Sequence, residues 1–395
     1  MQTGNFQLVR EINRRLLFGL IRERGEISRA ELASATELSK ATVSAVVDEL
    51  IGHGLVAEGA AAVGAVGRRP ILLRLNREGP CLGALHITPE TIVGGIADLQ
   101  GAILCKQRRE MRYTGGGSHL KAAIEMMAAV EDMAARAGRD LLGVGVSLPG
   151  IINLAGDVVL IAPTLGWRDV SLRRMLETGG RTPVFLGDDA KMAALAESTA
   201  GAGRGAETLL YLELGQTVGA GLVRRGRLAG AAHAGHMTIL PDGPPCWCGG
   251  RGCLDTLVSE GALAGRAAAL LADGRRFAKD APPRLTGEWL CRQAGGGDAL
   301  AREILAAAAD WLSIGLGSLI NLYRPELVLL GGWITEAGGD LLAAVGENAK
   351  RRALAALAGP VEIARASLRA DAVLTGAAAL ALAGALGSQA ILELG

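Results

Sequence analysis

Thr208-Leu209-Leu210-Tyr211-Leu212-Glu213-Leu214 is followed at once by Gly215-Gln216-Thr217-Val218-Gly219-Ala220-Gly221-Leu222-Val223-Arg224. The apolar run reads as a strand at about 208–214, and the glycine-rich turn hands over to a second strand at about 219–224. Arg225-Gly226 then turns into a third, short strand. The same order occurs earlier, with strands at about 82–87, 92–98 and 102–108 and Gln100-Gly101 as a hairpin turn. In the first copy a helix near 118–137, the strand Gly143-Val144-Gly145-Val146-Ser147, a helix near 170–178, a strand at 183–187 and a helix at 189–200 follow. In the second, a helix at 300–322, the strand Leu327-Val328-Leu329-Leu330, a helix near 339–355, a strand at 361–366 and a last helix follow. Two such units predict an α/β protein with a duplicated two-lobed domain and a cleft between the lobes. Ligands of such sheets bind at the strand carboxyl ends, so the cleft is the expected site.

Working outward, residues 1–80 read as a separate helical module. Leu8, Ile12, Leu16, Leu17, Leu20 and Ile21 keep a helical spacing over about 7–24. Ser28-Arg29-Ala30-Glu31 is a capping box that opens a second helix. Ser39 caps a third, whose apolar face is Val43, Val46, Val47 and Leu50. Leu55-Val56-Ala57 and Ile71-Leu72-Leu73-Arg74-Leu75 then look like a strand pair. Three helices and a hairpin make a winged helix-turn-helix. The expected domains are thus 1–80 for this head, 81–200 for the first lobe and 201–395 for the second, with the last helix able to pack back on the first lobe.

Composition narrows the function. The chain has 395 residues, with 41 Lys+Arg against 40 Asp+Glu. A net charge of +1 leaves no bulk attraction for nucleic acid, so any such contact is local. Only 3% of residues are aromatic, which excludes broad base-stacking platforms. The longest apolar stretch, Ala372–Gly387, falls short of the ~20 residues of a membrane span and reads as a buried C-terminal helix. No apolar signal region follows the early charges Arg10, Glu11, Arg14 and Arg15, so a soluble, cytoplasmic protein without membrane contact is expected. The six cysteines, at 81, 105, 246, 248, 253 and 291, do not form a secreted disulfide framework.

Three groups of residues carry chemistry. His236 with Cys246, Cys248 and Cys253 offers four ligands for tetrahedral Zn²⁺, and four filled positions mean a closed, structural site. The alternative is three buried free thiols, which a Gly-rich, polar loop does not resemble. The third helix of the head presents Ser39, Lys40, Thr42 and Ser44, and Arg68 and Arg69 stand in the wing, suited to phosphates, base edges and a minor groove. The competing reading is a protein-binding winged helix or a helical cap. Asp188 and Asp189 end a strand and open a helix, where a carboxylate can accept a hydroxyl proton or cap the helix. Gly150, in Ser147-Leu148-Pro149-Gly150, also lies at a strand end and offers backbone contacts.

Together these residues resemble the ROK family of repressors, open reading frames and sugar kinases, over nearly the whole chain. Ile27–Ala33, Leu38–Ser44 and Gly67-Arg68-Arg69-Pro70 are similar to its transcriptional-repressor branch. Gly235-His236-Met237 with the three cysteines, Pro163–Trp167 and Pro325–Gly332 match its signature stretches. The resemblance implies a sugar-kinase/actin-like fold, a homodimer or homotetramer, structural zinc, a double-stranded DNA operator and a sugar or sugar-derivative effector that releases the repressor from DNA. It places Asp189 at the kinase base position. It implies a ligand set of Gly150, Asp188, Asp189, His233, His236 and Asp255, with Asp188 standing for an Asn and His233 and Asp255 for two Glu. The Gly-Gly-Thr phosphate turn of the kinases is replaced by His86-Ile87-Thr88-Pro89-Glu90-Thr91, which argues against an enzyme. The alternatives are an ATP-dependent sugar kinase carrying a DNA-binding module, and a regulator that has lost sugar sensing.

Overall fold

The computed structural model describes residues 4–61, 70–112, 115–177, 182–229, 233–368 and 371–386. They build two compact units, one on Met1–Gly187 with Ala377–Gln389, the other on Asp188–Gly376.

The first unit opens with the head: α1 (Gly4–Arg24), β1 (Ile27–Ser28), α2 (Arg29–Thr36), α3 (Lys40–Gly52), β2 (Val56–Ala61) and β3 (Ile71–Leu75). The strands pair in the order β1–β3–β2. The capping box forms as read, with the Glu31 amide donating to Ser28 Oγ at 3.2 Å and the Ser28 amide donating to Glu31 Oε2 at 2.8 Å. Glu37 adopts a left-handed φ of 57° and turns α2 into α3. Leu17, Ile21, Leu32, Val43, Val47, Leu50 and Leu73 are fully buried and form the core of the head.

Five residues join β3 to the next strand, and they are pinned. The Asn76 amide donates to the Leu55 carbonyl at 3.0 Å, and its Nδ2 to the Gly54 carbonyl at 3.0 Å. Arg139 Nη1 donates to the Arg77 carbonyl at 2.8 Å. A Cβ on Gly79 would overlap the Gly54 carbonyl.

The lobe itself runs β4 (Cys81–Ile87), β5 (Thr91–Ala97), β6 (Ile103–Glu110), α4 (Gly116–Arg136), β7 (Leu141–Leu148), β8 (Ile151–Ile152), β9 (Val159–Ala162), β10 (Trp167–Val170), α5 (Leu172–Glu177) and β11 (Val184–Asp188). Its sheet order is β11–β7–β4–β5–β6, with β4 parallel to β7 and antiparallel to β5. Met126, Val130, Val144, Val146 and Leu186 form part of its core. Strands β8–β10 make a separate three-stranded sheet that sequence reading passes over. Runs of two to four residues are too short to show a period.

The second unit runs α6 (Asp189–Ala200), β12 (Thr208–Leu214), β13 (Val218–Arg224), β14 (Arg227–Leu228), α7 (Asp255–Val258), α8 (Glu260–Ala272), α9 (Gly287–Gly295), α10 (Ala299–Tyr323), β15 (Leu327–Gly332), α11 (Gly339–Arg352), α12 (Ala355–Ala358) and β16 (Glu362–Arg365). Its sheet order, β14–β13–β12–β15–β16, repeats that of the first lobe strand for strand. Helices α7–α9 are an insertion, so the first copy offered no template for them. The helix expected over 339–355 breaks at Ala353 and Leu354 into α11 and α12.

Helix α10 is the one described helix long and apolar enough to cross a membrane. Leu305, Leu312, Leu316 and Ile320 instead bury it in the core of this unit. Glu197, on α6, is fully buried. Its carboxylate accepts the amides of Ala202, Ser367 and Leu368 at 2.8, 2.6 and 2.7 Å, and Ser367 Oγ at 2.8 Å. It ties two loops together around one anion.

The last helix, α13 (Ala372–Ala385), contains the apolar stretch expected to be buried, and Ala377, Ala378 and Ala381 are fully so. In the first unit a Cβ on Gly145 would overlap the Ala377 carbonyl, and one on Gly384 the ring of Phe185.

Candidate functional site

The head orders its third helix with a side-chain cap. Ser39 Oγ accepts the Thr42 amide at 3.1 Å and lies 2.9 Å from the Thr42 hydroxyl. Thr42 and Ser44 are half-buried, whereas Ser39 and Lys40 are exposed. Sequence reading offered all four alike. The cap engages the Thr42 hydroxyl, which leaves Lys40 as the exposed cation at the start of α3. Arg68 and Arg69 lie outside the described residues.

The cysteine loop is held by its own backbone before any ion is considered. The Cys246 amide donates to Gly250, the Gly252 amide to Pro244 and the Ile239 amide to Gly252. Gly249 and Gly252 have φ of 92° and 58°, which favour glycine. A Cβ on Gly252 would overlap the Leu240 carbonyl. The ligand atoms of His236, Cys246, Cys248 and Cys253 all lie within 4.8 Å of one another. His236 Nδ1 is 3.6 Å from Cys246 Sγ, and Cys248 Sγ is 3.7 Å from Cys253 Sγ. Tetrahedral Zn²⁺ bonded at its usual distances sets N–S and S–S edges of about 3.6 and 3.8 Å. The donor set and the edges fit one zinc ion, and all four positions are protein atoms. Burial raises the Cys246 thiol and pushes Cys253 up to about 12, while the Gly250 amide lowers Cys248. A cation bound here therefore displaces protons. Trp247 packs edge-on to His236, with ring centroids 4.6 Å apart.

The residues expected around a ligand fall into both units, and each set is described by itself. In the first unit Gly150 lies against β9, and a Cβ would come 2.8 Å from the Ile161 carbonyl. In the second unit Asp188 caps α6. Its Oδ1 accepts the Lys191 amide at 3.0 Å and its Oδ2 meets Lys191 Nζ at 2.7 Å. Sequence reading missed Lys191. The signal was its i+3 spacing from Asp188 on the first helical turn. Asp188 is thus charge-balanced, not a bare anion. Asp189 opens α6 and is half-buried. Partial burial and Lys191 lower the pKa of His233, against the attraction of Asp188. His236 lies in the same neighbourhood, so Asp188, Lys191, His233 and His236 share one electrostatic environment. Asp255 is buried, and its Oδ1 accepts the Val218 amide at 2.6 Å. Burial raises its pKa, against that hydrogen bond.

Corresponding hairpin turns of the two lobes differ. In the second unit Asp255 takes the Val218 amide, and the Gly215 amide bonds the Thr217 carbonyl at 3.2 Å. In the first, the Thr88 amide donates to the Thr91 carbonyl at 2.8 Å, and the Thr91 amide to Thr88 Oγ1 at 2.9 Å. Pro89 has no N–H, and its carbonyl lies 2.9 Å from Nε2 of the fully buried His119. Two of this turn's amides are spent internally, a third does not exist, and Glu90 adds a negative charge. A phosphate-holding turn needs the opposite arrangement.

A winged-helix head on a duplicated α/β body with a His/Cys cluster in a glycine-rich loop defines a recognisable class. The sequence profile of the ROK family matches residues 83–383, and that of the MarR family matches residues 12–65. The chain belongs to the ROK family. It is 30% identical over 340 residues to a putative xylose repressor of Caldicellulosiruptor sp. (strain Rt8B.4), covering 83% of this chain and 84% of that one. It is 28% identical over 375 residues to the DNA-binding transcriptional dual regulator NagC of Escherichia coli (strain K12), covering 93% and 91%. Its fold matches the crystal structure of a ROK family transcriptional regulator, a homologue of the E. coli MLC protein, with a TM-score of 0.84 at 24% identity over 96% of this chain and 98% of that one.

Proposed function

We propose that this chain is a DNA-binding repressor of sugar-metabolism genes, released from its operator by a sugar or sugar derivative. The observation that carries this is the pairing of a capped winged-helix head with a ROK body whose first-lobe turn is closed on itself. The head supplies DNA contact through Lys40, Ser39, Thr42 and Ser44, with Arg68 and Arg69 in the wing. The body supplies the effector site through Gly150, Asp188, Asp189, His233, His236 and Asp255, to which Lys191 is added. Zinc on His236, Cys246, Cys248 and Cys253 has a structural role, fixing the loop that presents His236 to the effector. The active form is a homodimer or homotetramer on a pseudo-palindromic operator.

The second reading is an ATP-dependent sugar kinase with Asp189 as base. The internal hydrogen bonds of Thr88 and Thr91 favour the repressor, because phosphoryl transfer depends on holding the nucleotide phosphates.

The test combines operator selection from random duplexes with a thermal-shift panel of neutral sugars, amino sugars, sugar phosphates and sugar acids. A true effector at a hundredfold excess over its Kd stabilises the fold by about 2.7 kcal/mol. It should also release the selected duplex. Asp189→Ala should then stay on DNA whatever sugar is added. Release of ADP with a sugar present would overturn the repressor reading. A protein that selects no duplex would overturn the DNA assignment.

A further inference from the structure

Helix α1 meets the rest of the first unit through arginines. Arg14 Nη2 donates to the Leu386 carbonyl at 3.3 Å, just past the end of α13. The last carbonyls of a helix lack partners within it and carry the negative end of its dipole. The last turn of α13 has no basic residue of its own. Arg14 supplies one from the head. Eight residues on, Arg22 lies in the field of Asp98. Asp98 is buried in the turn between β5 and β6, where its Oδ1 accepts the amides of Gln100 and Ala102, both at 2.9 Å. Burial lowers the pKa of the Arg22 guanidinium, against the attraction of that carboxylate. At 3.6 residues per turn, positions 14 and 22 lie about 80° apart, so one side of α1 carries both contacts.

The Arg14 guanidinium also reaches α3. Its Nη1 donates to Glu49 Oε1 at 3.0 Å, and Glu49 stands in the last turn of the helix that begins with Lys40. Glu49 does not need Arg14 for its charge, because Arg10 already meets its other oxygen, Oε2, at 2.8 Å. The two arginines differ in setting. The Arg10 side chain is 65% exposed and the Arg14 side chain 23%. Of the two, the more buried one is the one that also reaches α13. A guanidinium is a rigid fork whose donors serve two acceptors at once, whereas an ammonium is a point charge on a flexible stem.

We infer that Arg14 is a positioning residue for DNA binding: its fork joins α3, through Glu49, to the carboxyl end of α13, and so fixes the angle at which the head presents Lys40. The inference rests on the DNA-binding reading above for its consequence, not for the joint.

The test uses the full zinc-loaded chain as wild type, Arg14→Gln, Arg14→Lys and Arg10→Gln, each with its fold checked by circular dichroism. The first readout needs no DNA. A Glu-specific protease is used to cut after Glu78, in the pinned segment between β3 and β4, and the rate follows local opening of that segment. Cleavage there should be about tenfold faster in both Arg14 variants, the worth of one hydrogen bond from a charged donor. In Arg10→Gln it should stay at the wild-type rate. The second readout is binding of the duplex that wild type selects, which both Arg14 variants should weaken by a similar factor. A role confined to balancing Glu49 would be met by lysine. Wild-type behaviour of Arg14→Lys in both readouts would therefore overturn the inference. So would cleavage of Arg10→Gln as fast as that of the Arg14 variants, because the loss would then belong to Glu49 alone. Faster cleavage of the Arg14 variants with unchanged duplex binding would overturn it too. If wild type selects no duplex while the Arg14 variants are cut faster, the joint stands and the DNA reading falls.

Discussion

The second unit holds its irregular segments in two opposite ways. The loop over 236–253 gathers three thiols and an imidazole around a place for a cation. The segments at 202 and 367–368 are gathered around an anion, the buried carboxylate of Glu197, by three backbone amides and a hydroxyl. Both solve the same problem, that buried loop backbone must find polar partners. They differ in where the organising charge comes from. The anion is built into the chain, whereas a cation would have to be acquired, and acquiring it would release protons.

That contrast is open to attack, and the largest effect should come from the metal. Cys253→Ser, or exhaustive chelation, should abolish binding of one zinc per chain. Structural zinc contributes on the order of 10 kcal/mol in small zinc domains, so the thermal transition should drop steeply, read by calorimetry beside metal analysis. Because thiols must lose protons to bind, zinc affinity should weaken as pH falls. An unchanged transition in a metal-free chain would show that the backbone bonds alone hold the loop.

The anion-centred segment should follow. Glu197→Ala removes the acceptor shared by three amides and the Ser367 hydroxyl, although the Ala202 amide keeps Ser367 Oγ at 2.8 Å, and should cost about 3 kcal/mol in urea unfolding, with zinc content unchanged. Glu197→Gln keeps one acceptor oxygen and should cost less. Equal losses in the two variants would remove the carboxylate's special role.

A smaller effect is expected where glycine shapes the metal loop. Gly252→Ala meets both a positive φ and the Leu240 carbonyl, and should destabilise by roughly 1–3 kcal/mol while lowering zinc affinity. If zinc affinity is untouched, the loop reaches its form without that turn.

The smallest effect lies in the head, where a purely local pair serves as the reference. Ser28→Ala should cost about 1 kcal/mol at neutral pH. The Ser28 amide and hydroxyl hold Glu31 below the usual carboxylate range. Its contribution is therefore present above the unfolded value of about 4.3 and is lost as pH falls through the lower folded value. The gap between wild type and Ser28→Ala should narrow over that range, as the bond from the Ser28 hydroxyl to the Glu31 carboxylate is lost, and the part that remains belongs to the cap on the Glu31 amide. A gap unchanged with pH would show that the hydroxyl–carboxylate bond contributes nothing.

These cases also show what a sequence displays. The cysteine ligands fall within eight residues of one another, and Ser28 and Glu31 are one helical turn apart, so both were legible from spacing. Glu197 meets partners about 170 residues away, and no local pattern announces that. The duplicated sheets were visible because apolar strands and glycine turns repeat in order. The insertion α7–α9 and the short strands β8–β10 were not, one lacking a counterpart and the other lacking length. Around the expected effector site the acidic pair at 188 and 189 was plain, but its balance by Lys191 depended on a rotamer. Asp188 is matched in charge by Lys191 at 2.7 Å.

The five residues between β3 and β4 have a mechanical consequence. A tether of that length, left free, would let a head tumble and would absorb any displacement passed along it. Here Leu55, Gly54 and Arg139 fasten it at Asn76 and Arg77, and Gly79 leaves no gap beside Gly54. The tether is thus bonded to the head at Asn76 and to the lobe at Arg77, so a displacement of the lobe's edge should be passed on toward the head rather than taken up in the tether.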